Sequence, residues 1–174
     1  MQQKLPGTTR GSFTVLELFV VCAVCALVVW ILILVISDVI QKSRITRAES
    51  DTRAILQGVE LLVHDTDNWP GGCTPDGLWN EYIALDKSHA GLVSTPPVDR
   101  YGACEWTPEE VGRWKGQYVT SKLLHDPWGQ PYIFHMNYLV GQSNSNIGGS
   151  VGIVSTGPDR ILSTIDDIFI KVWP

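Results

Sequence analysis

Phe13-Thr-Val-Leu-Glu-Leu-Phe-Val-Val-Cys-Ala-Val-Cys-Ala-Leu-Val-Val-Trp-Ile-Leu-Ile-Leu-Val-Ile36 holds a single charged residue, Glu17. Residues 18–36 carry no charge at all. At about 1.5 Å of rise per residue, that run crosses a hydrocarbon core of about 30 Å as a helix. An ionisable group inside such a segment costs about 2.5–3.5 kcal/mol on insertion scales, so Glu17 calls for a partner. A lone anchor helix has no use for this carboxylate. A helix packed beside copies of itself does, because a neighbouring subunit's amino terminus supplies the opposite charge.

The rest of the chain is read outward from that run. With 174 residues and the first few dozen committed to a leader and a membrane helix, there is room for one small globular domain. The leader, residues 1–12, carries Lys4 and Arg10 and no acid. The positive-inside tendency therefore keeps it cytoplasmic and sends the C-terminal domain outward. An ordinary secretory signal has a shorter apolar core ending at a small-residue cleavage site, which this run lacks. The formal charge is −5, and loss of the leader leaves 11 basic and 18 acidic residues, a balance of −7. That argues against a nucleic-acid surface, which needs a basic face.

The helix is expected to continue beyond the membrane. Ile45, Ala48, Thr52, Ile55, Val59 and Leu62 recur at spacings of three and four, one face of an amphipathic helix over residues 37–67. No proline interrupts residues 13–67, and Asn68-Trp-Pro-Gly-Gly ends the rod, because Pro70 cannot continue a helix. Residues 68–115 are rich in Gly, Pro and Trp and read as a variable loop region. Within it a short helix is expected around residues 78–85 and another starting at Thr107-Pro-Glu-Glu. Trp79, Trp106 and Trp114 read as a small satellite core.

Residues 116–174 turn to strands: Gln117-Tyr-Val-Thr, Tyr132-Ile-Phe after an Asp-Pro turn, Val151-Gly-Ile-Val-Ser, and an alternating run over residues 168–173. Two to four short antiparallel strands laid across the rod would bury its stripe. The fold class is α+β.

Cys22 and Cys25 lie among Val, Ala and Leu and read as small apolar helix residues. Cys73 and Cys104 fall in the outward domain, where an oxidising compartment makes a disulfide the natural reading. His64, His89, His125 and His135 form no metal-ligand spacing, and neither a nucleophile elbow nor a phosphate loop is present, so no enzyme is read. Asp159, Asp166 and Asp167 place three carboxylates within nine residues around Gly157-Pro158. A hard cation such as Ca²⁺ takes six to eight oxygen ligands from such a loop, with carbonyls such as that of Thr156. The alternative is a polar loop whose aspartates cap turns.

Three motifs carry a resemblance. Gly11-Ser-Phe-Thr-Val-Leu-Glu17 before an apolar helix resembles the class III signal of type IV pilins and type II secretion pseudopilins. Asp126-Pro-Trp-Gly-Gln-Pro-Tyr resembles the DPWGxPY signature of the major pseudopilin of type II secretion. Ser155-Thr-Gly-Pro-Asp159 with Thr164-Ile-Asp-Asp-Ile168 resembles that family's calcium loop, although Arg160 stands where the family has glycine.

The resemblance implies a type IV pilin-like fold, with a long N-terminal helix on a small antiparallel sheet and a C-terminal calcium loop held by Asp159 and Asp166, with Asp167 and Thr156 assisting. It implies cleavage by a prepilin peptidase and N-methylation. Ser12 leaves two cuts open: after Ser12 Phe13 is first and Glu17 fifth, after Gly11 Glu17 is sixth, and the glutamate register favours the former. It further implies a single-pass protein of the bacterial inner membrane, its C-terminal domain periplasmic. An inner-membrane assembly platform would polymerise it with minor pseudopilins into a periplasmic filament that acts in protein export. A type IV or competence pilin, or an anchored calcium-binding domain that never polymerises, are the alternatives.

Overall fold

The computed structural model describes residues 14–75, 81–139 and 149–172, so the leader and the residues Gly11, Ser12, Phe13, Trp79 and Trp173 lie outside the described part. Two compact units divide the chain, Met1–Gln41 and Lys42–Pro174. One helix, α1 (Val15–Thr66), supplies residues to both. Its start is set by Thr14, whose hydroxyl accepts a hydrogen bond from the Glu17 amide at 3.3 Å and whose carbonyl accepts from Leu18 at 3.2 Å. A threonine at this position satisfies amides that have no partner within the helix. In the first unit every described side chain from 15 to 41 is exposed, Cys22 and Cys25 included.

In the second unit the expected stripe is buried from Ala48 onward: Ala48, Thr52, Ile55, Val59 and Leu62 are all 0–1 % exposed, whereas Ile45 remains outside it at 37 %. α1 ends where Asp67 turns into the left-handed region at φ 63°, one residue before the expected Asn-Trp-Pro-Gly-Gly signal. Arg113 caps that end from a distant segment, donating to the Thr66 carbonyl at 2.7 Å and pairing with Asp67. A guanidinium there meets both the unpartnered carbonyls and the negative end of the helix dipole.

Six strands follow among the described residues: β1 (Tyr82–Ala84), β2 (Arg100–Tyr101), β3 (Cys104–Glu105), β4 (Ile133–Tyr138), β5 (Ser150–Ser155) and β6 (Ile168–Lys171). Four form one antiparallel sheet in the order β1-β4-β5-β6, and β2 and β3 form a separate two-residue ladder. Along β4, Phe134, Met136 and Tyr138 are buried while the residues between them are half-exposed, the alternation a one-sided sheet requires. Phe134, Met136 and Ile153 share a single core with Ile55, Val59 and Leu62 of α1. This is the expected α+β, pilin-like layout.

The structure corrects several local expectations. The described part of residues 78–85 is strand, not helix: Tyr82, Ile83 and Ala84 pair with His135, Phe134 and Ile133 at the sheet edge. Residues 117–120 form no strand, because the amides of Tyr118 and Val119 both donate to the Leu92 carbonyl. Trp106 is fully buried in the main core and not in a satellite, and Trp114 packs against that same core. The last strand stops at Lys171. The helix start at Thr107 stands as expected: α2 (Pro108–Arg113) opens with a reciprocal capping box between Thr107 and Glu110. Cys73 and Cys104, both buried, are disulfide-bonded with Cα atoms 4.8 Å apart.

Candidate functional site

Two features of the chain stand apart from ordinary core and surface. The first is the exposed apolar part of α1. Its most apolar window has a mean hydropathy of 3.4 and no buried residue, and α1 is the one helix among the described residues long and apolar enough to cross a membrane. Val15, Leu16, Phe19, Leu27, Trp30 and Ile33 are each 61 % exposed or more. Apolar surface on this scale demands lipid or another helix. Glu17 lies on the first turn of that surface, exposed, with no side-chain partner among the described residues.

The second feature is the loop between β5 and β6. Gly157, at φ 63°, opens it, and a Cβ there would lie 2.3 Å from the Asp166 carbonyl oxygen, so only glycine lets the two ends of the loop meet. Asp166 then reaches back across seven residues: its Oδ2 accepts from the Asp159 amide at 3.1 Å and its Oδ1 from the Thr164 hydroxyl at 2.7 Å. The Thr164 hydroxyl, more than any other group, holds the Asp166 carboxyl below the usual range. Asp159 turns its own Oδ1 to the Ile161 amide at 2.8 Å. Asp167 accepts from the Ser163 amide at 2.7 Å, from the same Thr164 hydroxyl at 3.4 Å, and from the Tyr138 hydroxyl on β4. Burial and then that bond to Asp167 push the Tyr138 phenol well above its usual range.

The structure thus brings Asp159 and Asp166 together, and Asp167 shares the Thr164 hydroxyl with Asp166 while also tying the loop to β4. Thr156 sits at the base of the loop, its hydroxyl oxygen buried with no hydrogen-bond partner among the described residues. No three Asp, Glu, His or Cys side chains among the described residues converge as a ready metal cluster. Asp159 and Asp166 offer only oxygens, the kind of ligand a hard cation takes with backbone carbonyls completing the set, and the Thr156 hydroxyl at the base of the loop is a buried oxygen without a partner among the described residues.

What positions the loop lies 29 residues earlier in the chain. Asp126-Pro-Trp-Gly129 is a turn closed by the Gly129 amide on the Asp126 carbonyl at 3.0 Å. Asp at the first position, Pro at the second and Gly at the fourth are what such a turn favours. The Asp126 side chain is 5 % exposed; its Oδ1 accepts from the amides of Trp128 at 3.0 Å and Gln130 at 2.8 Å. Its Oδ2 accepts from the buried Ser155 hydroxyl at 2.7 Å, and Ser155 Oγ in turn accepts from the Gly157 amide at 3.3 Å. One buried carboxylate therefore locks the turn before β4, the end of β5 and the first residue of the carboxylate loop.

Against this geometry, the model of a known family, type II secretion system protein G, matches residues 36–170. The chain belongs to that family. No curated protein and no solved structure matches it. The match spans the second unit's helix, all four strands of the main sheet and both aspartate motifs, and the family is that of the major pseudopilin, a structural subunit of the secretion machinery. Membership in the protein G family implies assembly into a pseudopilus with other components of that system, and the single apolar helix fits a membrane-anchored member. Asp126, Ser155 and Thr164 stood inside the motifs read from the sequence, but without the supporting roles the structure gives them. Tyr138 left no signal in the sequence and was missed.

Proposed function

We infer that this chain is the repeating subunit of a periplasmic pseudopilus of type II secretion, held in the inner membrane as a precursor until assembly. The match over residues 36–170 carries this reading, supported by an exposed apolar helix with a carboxylate on its first turn. A prepilin peptidase removes residues 1–12 and Phe13 is methylated; cutting after Gly11 is the alternative. An inner-membrane platform then adds subunits beside minor pseudopilins, and growth of the filament pushes exported proteins outward. The family match favours this over a type IV or competence pilin and over an anchored domain that never polymerises.

Glu17 is the assembly residue in this mechanism: it meets the terminal amine of a neighbouring subunit inside the bilayer. Glu17→Ala should insert as well as the parent but fail to enter filaments. An amine left unpaired in low dielectric costs several kcal/mol per subunit. Sheared-filament yield and cysteine crosslinking between subunits read the effect. Normal filaments from Glu17→Ala would show the carboxylate to be incidental.

The loop between β5 and β6 we assign to one Ca²⁺, held by Asp159 and Asp166 with Thr156 and backbone carbonyls, while Asp167 keeps the loop on Tyr138. When bound, the ion would supply positive charge to offset the Asp159 and Asp166 carboxylates and so hold the loop that leads into β6. The unpartnered Thr156 oxygen and the approach of Asp166 to the Asp159 amide support this assignment.

A further inference from the structure

Lys42, Arg44 and Arg47 follow the apolar run with no acid among residues 42–47, while residues 54–174 carry seven basic and fourteen acidic residues. All three cations are exposed. Arg47 pairs with Asp51 at 3.4 Å; neither Lys42 nor Arg44 forms an ion pair among the described residues. At about 100° per residue on α1, Arg44 and Arg47 share one side and Lys42 stands roughly opposite. A partner protein docked on one face would be met by cations on that face. Cations on both sides of a helix suit a medium that surrounds it.

We propose that Lys42 and Arg44, with Arg47 as a weaker outer member, form a collar that binds the phosphates of anionic phospholipids in the leaflet facing the globular domain. They follow Ile36 by six, eight and eleven residues, and their long side chains suit snorkelling back toward headgroups that extend about 5–8 Å past the hydrocarbon. The partner follows from charge: the domain beyond residue 53 is acidic and is repelled by an anionic surface, and the collar is the local excess of positive charge on the domain side of the membrane run. The collar therefore selects anionic lipid around the stored subunit. The proposal rests on the membrane reading of α1.

The test uses the full chain with Lys4→Gln and Arg10→Gln in every sample, which silences the leader's own cations. It is reconstituted in phosphatidylcholine bilayers with spin-labelled phosphatidylglycerol or phosphatidylcholine, and the motionally restricted fraction gives the lipid preference. A preference for phosphatidylglycerol is expected. It should fall by up to about fivefold per cation in Lys42→Gln/Arg44→Gln, and it should fall in high salt. Arg47→Gln should lower it less, and Lys42→Arg/Arg44→Lys should keep it. An unchanged preference in Lys42→Gln/Arg44→Gln overturns the proposal. If that variant keeps its lipid preference but loses filament assembly, the collar's partner is the acidic surface of a second copy, and the proposal again falls. A chain that alkaline carbonate strips from the vesicles overturns the membrane reading and the collar together. One that stays inserted with no lipid preference overturns the collar alone.

Discussion

Asp126→Ala removes the one acceptor that three donors share. The amides of Trp128 and Gln130 and the hydroxyl of Ser155 would each lose their bond to that carboxylate, and Ser155 and Trp128 are buried. A buried donor without a partner costs about 1–3 kcal/mol, so two fully buried donors and one partly buried one together come to at least about 3 kcal/mol. For a domain of this size that is a fall in Tm of roughly 6–12 °C. Asp126→Asn is the informative control. Its Oδ1 still accepts from both amides, and its NH₂ can face Ser155 Oγ as a donor, so its cost should stay near 1 kcal/mol. Thermal unfolding of the detergent-solubilised chain, followed by circular dichroism, reads both variants. The Ala variant should also lose calcium response, because Gly157 is held through Ser155. If Ala and Asn melt alike and within about 2 °C of the parent, Asp126 is not a latch and the reasoning fails.

Chelation of calcium should lower Tm, and added Ca²⁺ should restore it by about 2.7 kcal/mol at a hundredfold excess over Kd, with Mg²⁺ much less effective; Asp159→Ala or Asp166→Ala should abolish the response, and identical melting with and without chelator would reduce these aspartates to turn residues. Replacing Cys73 and Cys104 with Ser should cost roughly 3–4 kcal/mol on the chain-entropy estimate for a separation of 31 residues. Cys22 and Cys25 account for two free thiols, so four titrated in the oxidised folded protein would refute the pairing. Arg160 sits at φ 62°, so Arg160→Gly should relieve about 1–2 kcal/mol of backbone strain against about 0.5–1 kcal/mol of added chain entropy. A small rise in Tm is expected, and a fall would show that the guanidinium itself matters.

What the sequence made legible follows from how far apart the deciding residues lie. The stripe Ala48, Thr52, Ile55, Val59 and Leu62 is written at helical spacing within one element, and it is buried as read. The capping box at Thr107 spans three residues, and the contact between Asp159 and Asp166 spans seven across a glycine. These are local rules, and a sequence states them openly. Tyr82-Ile-Ala is different: three residues become a strand only because β4 offers them an edge, so helix propensity loses to a pairing invisible in the segment itself. The same holds for Tyr118 and Val119, extended but captured by the Leu92 carbonyl before any strand can claim them.

The DPWG motif marks the boundary between the two cases. Its turn follows from Asp, Pro and Gly at fixed offsets, yet its purpose depends on Ser155, which no spacing rule connects to it. The motif and the carboxylate loop stand 29 residues apart at the point of contact and share one buried carboxylate. Substituting either would disturb both. A residue of the carboxylate loop judged by its own segment is therefore misjudged unless Asp126 is counted among its supports.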